Sequence, residues 1–143
     1  IEGLSEKVRP FVPKEWYSDQ QYFNAVLALD AERMKRLDEA QFLMEIFFVT
    51  PKLDWNLLTQ KSREDDIKLW IGKSLHVVDT SDFTHDGLEK SFRDLCEDLD
   101  IQTGQLFYAL RIILTGRTKA PGLFDIMLTL GHDETVERLK RAL

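Results

Sequence analysis

The 143-residue sequence has little of several features on which other classes of protein depend. Its single cysteine, Cys96, excludes an internal disulfide and fits a reducing compartment. No apolar run approaches the ~18 residues of a membrane span, and no charged-then-apolar leader opens the chain. We therefore expect a cytoplasmic protein that does not bind membranes. Ile1 lies in what reads as helical sequence, so we expect the chain to be part of a longer protein.

Positive charge is also scarce, since the net charge is -6. This balance argues against a protein that coats nucleic acid without specificity. The charge is uneven, however. Residues 1–100 carry 13 Lys/Arg and 21 Asp/Glu, whereas residues 101–143 carry 6 and 4. The stretch from Ile101 to Phe124 has three basic residues and no acid. Composition alone leaves two interpretations open: a small anion-binding face, or a buried segment with few charges.

The apolar residues recur with a period near 3.6 almost everywhere, which predicts an all-α protein. The pattern indicates a helical bundle of about seven helices in two packed subdomains, residues 1–60 and 61–143. Residues 53–60 are predicted to be irregular. The clearest amphipathic helix begins at Thr84, and Gln105–Leu114 is apolar almost all round, which predicts a central buried helix ended by Gly116. Pro121 is predicted to be the first residue of the next helix.

Residues that could carry chemistry do not form a catalytic group. Gly72-Lys73-Ser74 ends like a phosphate-binding loop, but the motif requires a glycine where Ile67 stands. The three histidines are far apart in sequence, and a metal site needs ligands at defined spacing, so we expect no metal ion. Cys96 lies on the apolar face of its predicted helix, where a thiol is inert. We expect no catalytic residue and no cofactor in this chain.

One segment, Leu110–Phe124, runs from a buried helix through a Thr/Gly/Arg/Lys turn into a helix N-terminus. Unpaired N–H groups and a partial positive charge at such an N-terminus suit a phosphate or the edge of a base. An ordinary helix–helix loop is the other interpretation, and the local physics does not decide between them.

Residues 105–143 contain an arginine, a few apolar residues, Thr-Gly, a short polar loop, Pro-Gly-Leu-Phe, Leu-Gly and a closing Arg-Ala-Leu. This order resembles the end of bacterial-type glutamyl-tRNA synthetases. The first hundred residues match more loosely, through Arg9–Phe11 and the order of helices. The resemblance implies the C-terminal anticodon-binding region, a helical cage, of a class I enzyme.

Members of that family join glutamate to its tRNA by using ATP and Mg²⁺, with their ATP-binding motifs in the N-terminal half. Those ATP-binding motifs do not occur in this sequence, so the resemblance implies that the fragment alone is not an enzyme. It also implies two partners: the anticodon loop of glutamate tRNA and the N-terminal catalytic domain of the same protein. We expect a monomer. Bacterial glutaminyl-tRNA synthetases are the alternative family. They read anticodons with β-barrels, and the helical pattern of this sequence excludes such barrels.

The resemblance also implies which residues bind tRNA. Arg111 and Arg93 would contact anticodon bases, and Arg33 would help to accept the third base of the glutamate anticodon, although Arg36 is an alternative. Pro121 and Leu123 would form an apolar platform beside a base. The full predicted set is Arg33, Arg93, Arg111, Arg117, Lys119, Ala120, Pro121 and Leu123. The family usually has Ser or Thr where Ala120 stands, so one hydroxyl contact is lost. For each arginine a solvated surface charge is the alternative.

Two other hypotheses remain. An acidic helical protein–protein interaction module with no RNA partner would have the same composition, and only salt-dependent tRNA binding separates it from the first. A stand-alone helical enzyme is disfavoured because no nucleophile and base stand together.

Overall fold

The computed structural model describes residues 2–143, with side chains from residue 3 onwards. Within this range no β-strand occurs, and the predicted all-α class is confirmed. The described helices are α1 (Glu2–Val8), α2 (Gln20–Asp30), α3 (Ala40–Met44), α4 (Trp55–Leu58), α5 (Glu64–Thr80), α6 (His85–Leu99), α7 (Thr103–Thr115), α8 (Leu123–Leu130) and α9 (His132–Lys140). Short 3-10 turns lie at Arg9–Phe11, Lys14–Tyr17, Ala31–Arg33, Leu37–Glu39 and Glu45–Phe47.

The chain divides into two compact units, one ending at Thr50 and the other beginning at Pro51. The predicted subdomain boundary between residues 60 and 61 stays a prediction. In the structure, residues 51–60 lie with the second unit, because α4 packs against α7 and the Tyr108 hydroxyl donates a 3.0 Å hydrogen bond to the Leu57 carbonyl.

The first unit is built around the apolar face of α2. Asp19 begins this helix, since its carboxylate accepts a 3.1 Å hydrogen bond from the Tyr22 N–H. The indole of Trp16 stacks on the Phe48 ring, with 4.7 Å between ring centres. The core of this unit consists mainly of Val8, Phe23, Val26, Leu27, Ala40, Met44 and Phe47.

The second unit packs α5 against α6 and α9, while α8 contacts α6 and α9, and α7 contacts α9. The predicted amphipathic helix is α6: the Thr84 hydroxyl caps it by accepting a 3.1 Å hydrogen bond from the Gly87 N–H, and Leu88, Phe92 and Cys96 are buried. The predicted central helix is α7, most of whose residues from Leu106 to Thr115 are buried. It ends at Gly116, whose φ of 71° lies in the left-handed region that favours glycine.

Two predictions about helices were wrong: one short helix was missed and one helix start was misplaced. The stretch 53–60 contains α4, capped by the Asp54 carboxylate at 3.1 Å from the Leu57 N–H; so short a helix offers too few residues to show a period. Helix α8 begins at Leu123 rather than at Pro121, because Gly122 is still extended, with ψ of 140°. Among the described residues, no helix combines the length and apolar character needed to cross a membrane.

Candidate nucleic-acid interface

Arg111 is the charged residue of the central helix. Its neighbours in sequence are buried, and the arginine itself is half-buried. Its Nε is buried and has no hydrogen-bond partner within residues 2–143. That atom is shielded from solvent, so it is not itself open to a ligand. Because the residue as a whole is only half-buried, the exposed part of its guanidinium group can still meet an acceptor at the predicted position.

Arg93 on α6 is held over the side chain of Phe107. Its guanidinium carbon lies 5.6 Å from the centre of the Phe107 ring. Nε and Nη2 both donate to Glu89 Oε2, at 3.1 and 2.9 Å. Phe107 in turn meets the Phe124 ring of α8 at 5.4 Å and 90°. Because Phe107 lies one turn before Arg111 on α7, these contacts bring the two predicted arginines to neighbouring parts of one surface.

The loop after α7 is fixed by the side chain of Thr115. The hydroxyl donates a 2.8 Å hydrogen bond to the Arg111 carbonyl and accepts one of 3.0 Å from the Arg117 N–H. Beyond this turn, Lys119 is exposed, and both Arg117 and Ala120 are half-buried. The loop thus presents positive charge to solvent beside the C-terminus of α7.

Pro121 and Leu123, the predicted apolar platform, are both buried. In this conformation they form the floor under the loop, and their role beside a base stays a prediction. Helix α8 has no side-chain cap, but Asp125 lies in its first turn. A carboxylate there opposes a phosphate, so the N-terminus of α8 suits an uncharged base edge better than an anion.

Two arginines near the C-terminus anchor α7 and were not among the predicted site residues. Arg138, only 2% exposed, donates from Nη1 to the Leu114 carbonyl at 2.7 Å. Arg141 donates to the carbonyls of Pro51 and Ile113, at 2.5 and 3.1 Å. Burial is the main cause that lowers the pKa of Arg141, and the charge of Arg138 adds to it. Both satisfy carbonyls that the end of a helix leaves unpaired. No local pattern in the sequence marks either arginine, because the α7 carbonyls that they bind lie 24 and 28 positions earlier in the chain.

Arg33 belongs to the first unit, where its Nη1 lies 3.2 Å from Asp30 Oδ1. The Asp30 side chain is fully buried, and that of Arg33 is 33% exposed. The alternative residue, Arg36, is exposed and pairs with Asp38 at 2.6 Å. Arg33 therefore has a structural partner, yet keeps an accessible part of its guanidinium.

A possible ligand group for a metal ion forms at the start of α6, where atoms of His85, Asp86 and Glu89 lie within 4.8 Å of one another. His85 and Asp86 are exposed, and Glu89 is already bound to Arg93. Acidic residues are common at the first turn of a helix, where the macrodipole favours them. The expectation that the chain holds no metal ion stays a prediction.

Comparison with known proteins shows the family to which the whole chain is similar. The sequence pattern of the anticodon binding domain family matches residues 3–143. The glutamate–tRNA ligase of Roseiflexus sp. (strain RS-1) is 36% identical over 151 aligned residues, which cover 99% of this chain and 30% of that protein. The glutamate–tRNA ligase of Solibacter usitatus is 32% identical, over 98% of the chain and 29% of that protein. The chain thus spans about 30% of the length of the relatives it matches.

The fold is similar to that of a solved glutamate tRNA ligase from Elizabethkingia meningosepticum, which was crystallised with its amino acid. The TM-score is 0.78 at 21% identity, and the match covers 96% of this chain and 28% of that one. At this identity the likeness concerns the fold alone. Together with the sequence matches, it confirms the predicted resemblance, and the chain belongs to the anticodon-binding domain family found in glutamate–tRNA ligases.

Proposed function

We propose that this chain binds the anticodon loop of glutamate tRNA as one part of a glutamate–tRNA ligase. The observation that carries the proposal is the family match over residues 3–143, together with relatives whose name is glutamate–tRNA ligase. The rest of the parent protein, on this proposal, holds ATP and Mg²⁺ and attaches glutamate to the tRNA. The chain described here supplies recognition, works in the cytoplasm as a monomer and needs no cofactor of its own.

The proposed contact surface lies in the second unit. It combines Arg111, which is half-buried on the central helix, and Arg93, whose guanidinium lies over the Phe107 ring. The loop with Arg117 and exposed Lys119 adds positive charge next to them. Anticodon bases are unpaired and can be splayed out, so that guanidinium groups and backbone N–H groups reach their pairing edges. Residues Ala120, Pro121 and Leu123 would supply main-chain and apolar contacts at the edge of this surface.

Arg33 is proposed to contribute specificity from the first unit. The glutamate and glutamine anticodons differ in their third base, C in one and G in the other. Cytosine presents carbonyl and ring-nitrogen acceptors on its pairing edge, which guanidinium donors can meet. Guanine presents N–H donors there, which arginine, having no acceptor, cannot satisfy. On this proposal the parent enzyme prefers glutamate tRNA.

A binding titration tests the proposal. The chain is added to fluorescently labelled glutamate tRNA at several salt concentrations between about 50 and 200 mM. We expect saturable binding whose affinity falls with salt, with a log–log slope of about -1 to -3 for the few charges involved. The control is the same tRNA with its three anticodon bases replaced. An acidic chain binds phosphate weakly, so this control should bind much less tightly.

The same titration addresses the other candidate function. A protein–protein interaction module with no RNA partner would show no salt-dependent binding to either tRNA. Equal binding to both tRNAs would also contradict the proposal, because it would reveal phosphate contacts without recognition of the anticodon.

A further inference from the structure

We infer that Phe107 is a positioning residue that holds Arg93 in the orientation in which it contacts tRNA. The inference rests on the proposed function. It adds Phe107, which is not itself one of the residues predicted to contact tRNA. Its basis is the arrangement of three side chains on two helices: Arg93 and Glu89 on α6, and Phe107 on α7.

The Arg93 guanidinium is restrained on two sides. One edge, formed by Nε and Nη2, donates to Glu89 Oε2 at 3.1 and 2.9 Å. The guanidinium carbon of Arg93 lies over the Phe107 ring, 5.6 Å from the ring centre. A guanidinium has five N–H donors, and Glu89 takes two of them. Three remain, and the side chain is 52% exposed, so donors are left for an acceptor from RNA.

This restraint matters because a free arginine loses much rotamer entropy when it binds. A guanidinium that is already oriented loses less for each hydrogen bond it forms. Glu89 alone restrains the edge of the group within α6, but it leaves the plane free to turn about that edge. The face of an aromatic ring attracts the cation and fixes the plane. Phe107 therefore restrains the plane of the guanidinium group, which the ion pair with Glu89 leaves free to turn.

Phe107 is itself well fixed. It lies on the central helix α7 and meets the Phe124 ring edge-on, with 5.4 Å between ring centres. Replacing it by leucine keeps an apolar side chain against α8 and removes the aromatic face under Arg93. Phe83 offers a matched control, because it is also half-buried in the second unit and its ring contact is with His132, 6.0 Å away.

A double-mutant cycle tests the inference on the whole chain. Affinity for glutamate tRNA is measured for wild type, Phe107→Leu, Arg93→Ala and the double variant. We expect Phe107→Leu to weaken binding by up to about two- to fivefold, because the usual worth of a cation–π contact at an exposed site sets the upper limit on the cost of orienting Arg93 again. In the Arg93→Ala background the same change should have almost no effect, and Phe83→Leu should bind like wild type.

Two further measurements separate positioning from packing. In an NMR spectrum, the Arg93 Nε–H proton should move away from its ring-shifted position in Phe107→Leu, and stay in place in Phe83→Leu. Arg93→Lys keeps the charge and leaves the α7–α8 packing untouched. It should lose at least as much affinity as Phe107→Leu, because an ammonium group has neither a plane to orient nor the paired donors of a guanidinium.

The possible failures are distinct. If the wild-type chain does not bind glutamate tRNA, the proposed function fails, and this inference fails with it. If the chain binds but Phe107→Leu binds equally well, the inference alone is overturned. An equal loss in both Arg93 backgrounds would also overturn it, because Phe107 would then act through packing or direct contact rather than through Arg93.

Discussion

The guanidinium of Arg138 on α9 donates a 2.7 Å hydrogen bond to the carbonyl of Leu114, in the last turn of α7. The same side chain pairs with Glu134 at 2.8 Å and is almost completely buried. A charge is expensive to bury, and here it satisfies a backbone oxygen that the helix end leaves unpaired. The contact also fixes the point from which the loop with Arg117 and Lys119 departs.

Arg138→Met should therefore destabilise the chain by about 2–4 kcal/mol, because the Leu114 carbonyl loses a charged donor in a buried site. Chemical denaturation followed by circular dichroism measures the free energy of unfolding. Lys140→Met is the control, since Lys140 is exposed and its 3.9 Å pair with Glu137 is weak. Similar small losses in both variants would show that the Arg138 contact is not stabilising.

Arg111→Ala should weaken binding to glutamate tRNA by about 1–3 kcal/mol, the range for charged or paired hydrogen bonds to a base. The melting temperature should change little, because the buried Nε has no hydrogen-bond partner in residues 2–143 that the substitution would break. Fluorescence titration and thermal unfolding measure the two effects. Arg63→Ala, at an exposed position before α5, removes the same charge as a control.

The loss of tRNA affinity in Arg111→Ala should disappear when the anticodon bases of the tRNA are replaced. A variant that no longer folds would instead identify Arg111 as a structural residue, and the proposed contact would be withdrawn. An equal loss with both tRNAs would indicate a phosphate contact.

Arg33→Gln should narrow the preference for glutamate tRNA over glutamine tRNA, because glutamine offers both a donor and an acceptor to the third base. The measurement is the ratio of the two dissociation constants for wild type and variant. The melting temperature should also fall, since the buried Asp30 carboxylate loses a charged partner at 3.2 Å. This second effect distinguishes Arg33 from a solvated surface charge.

Arg36→Gln is the matched control for this experiment, because Arg36 is exposed and pairs only with the exposed Asp38 among the contacts described for its side chain. It should leave both the ratio and the melting temperature near their wild-type values. If Arg36→Gln narrows the ratio and Arg33→Gln does not, the specificity role belongs to Arg36.

Asp79→Asn should reduce stability more at about pH 6 than at about pH 8.5. Hydrogen bonds to Asp133 and, second, to Asp79 raise the pKa of His132 above its ordinary 6.5. A raised folded pKa means that the stabilisation is fully present below the unfolded value and is lost as pH rises through the folded value. Thermal unfolding at the two pH values, with Asp98→Asn as the control, measures the difference. A loss that does not depend on pH would show that His132 is uncharged in both conditions.

Much of this protein follows from local sequence. The apolar spacing in Leu88, Phe92 and Cys96 predicted α6, and Gly116 predicted the end of α7, because a helix face and a left-handed cap each depend on residues within one or two turns. The order Thr-Gly, Pro-Gly-Leu-Phe and Arg-Ala-Leu likewise indicated the family, which the comparisons confirm. The predicted site residues stay predictions, although Arg93 does lie over Phe107, one helical turn before Arg111.

Other features depend on contacts between residues far apart in the chain. The sequence alone assigned Arg138 no role, although it is buried against a carbonyl 24 positions earlier. Contacts between distant residues also place Arg93 over Phe107. They likewise join residues 51–60 to the second unit. Periodicity reports which face of a helix is buried, but not which partner buries it, because that choice is made when helices pack. The sequence alone therefore determined the helical class, most of the helices and the family, whereas tertiary packing decided which arginines are buried against carbonyls and which remain exposed to solvent.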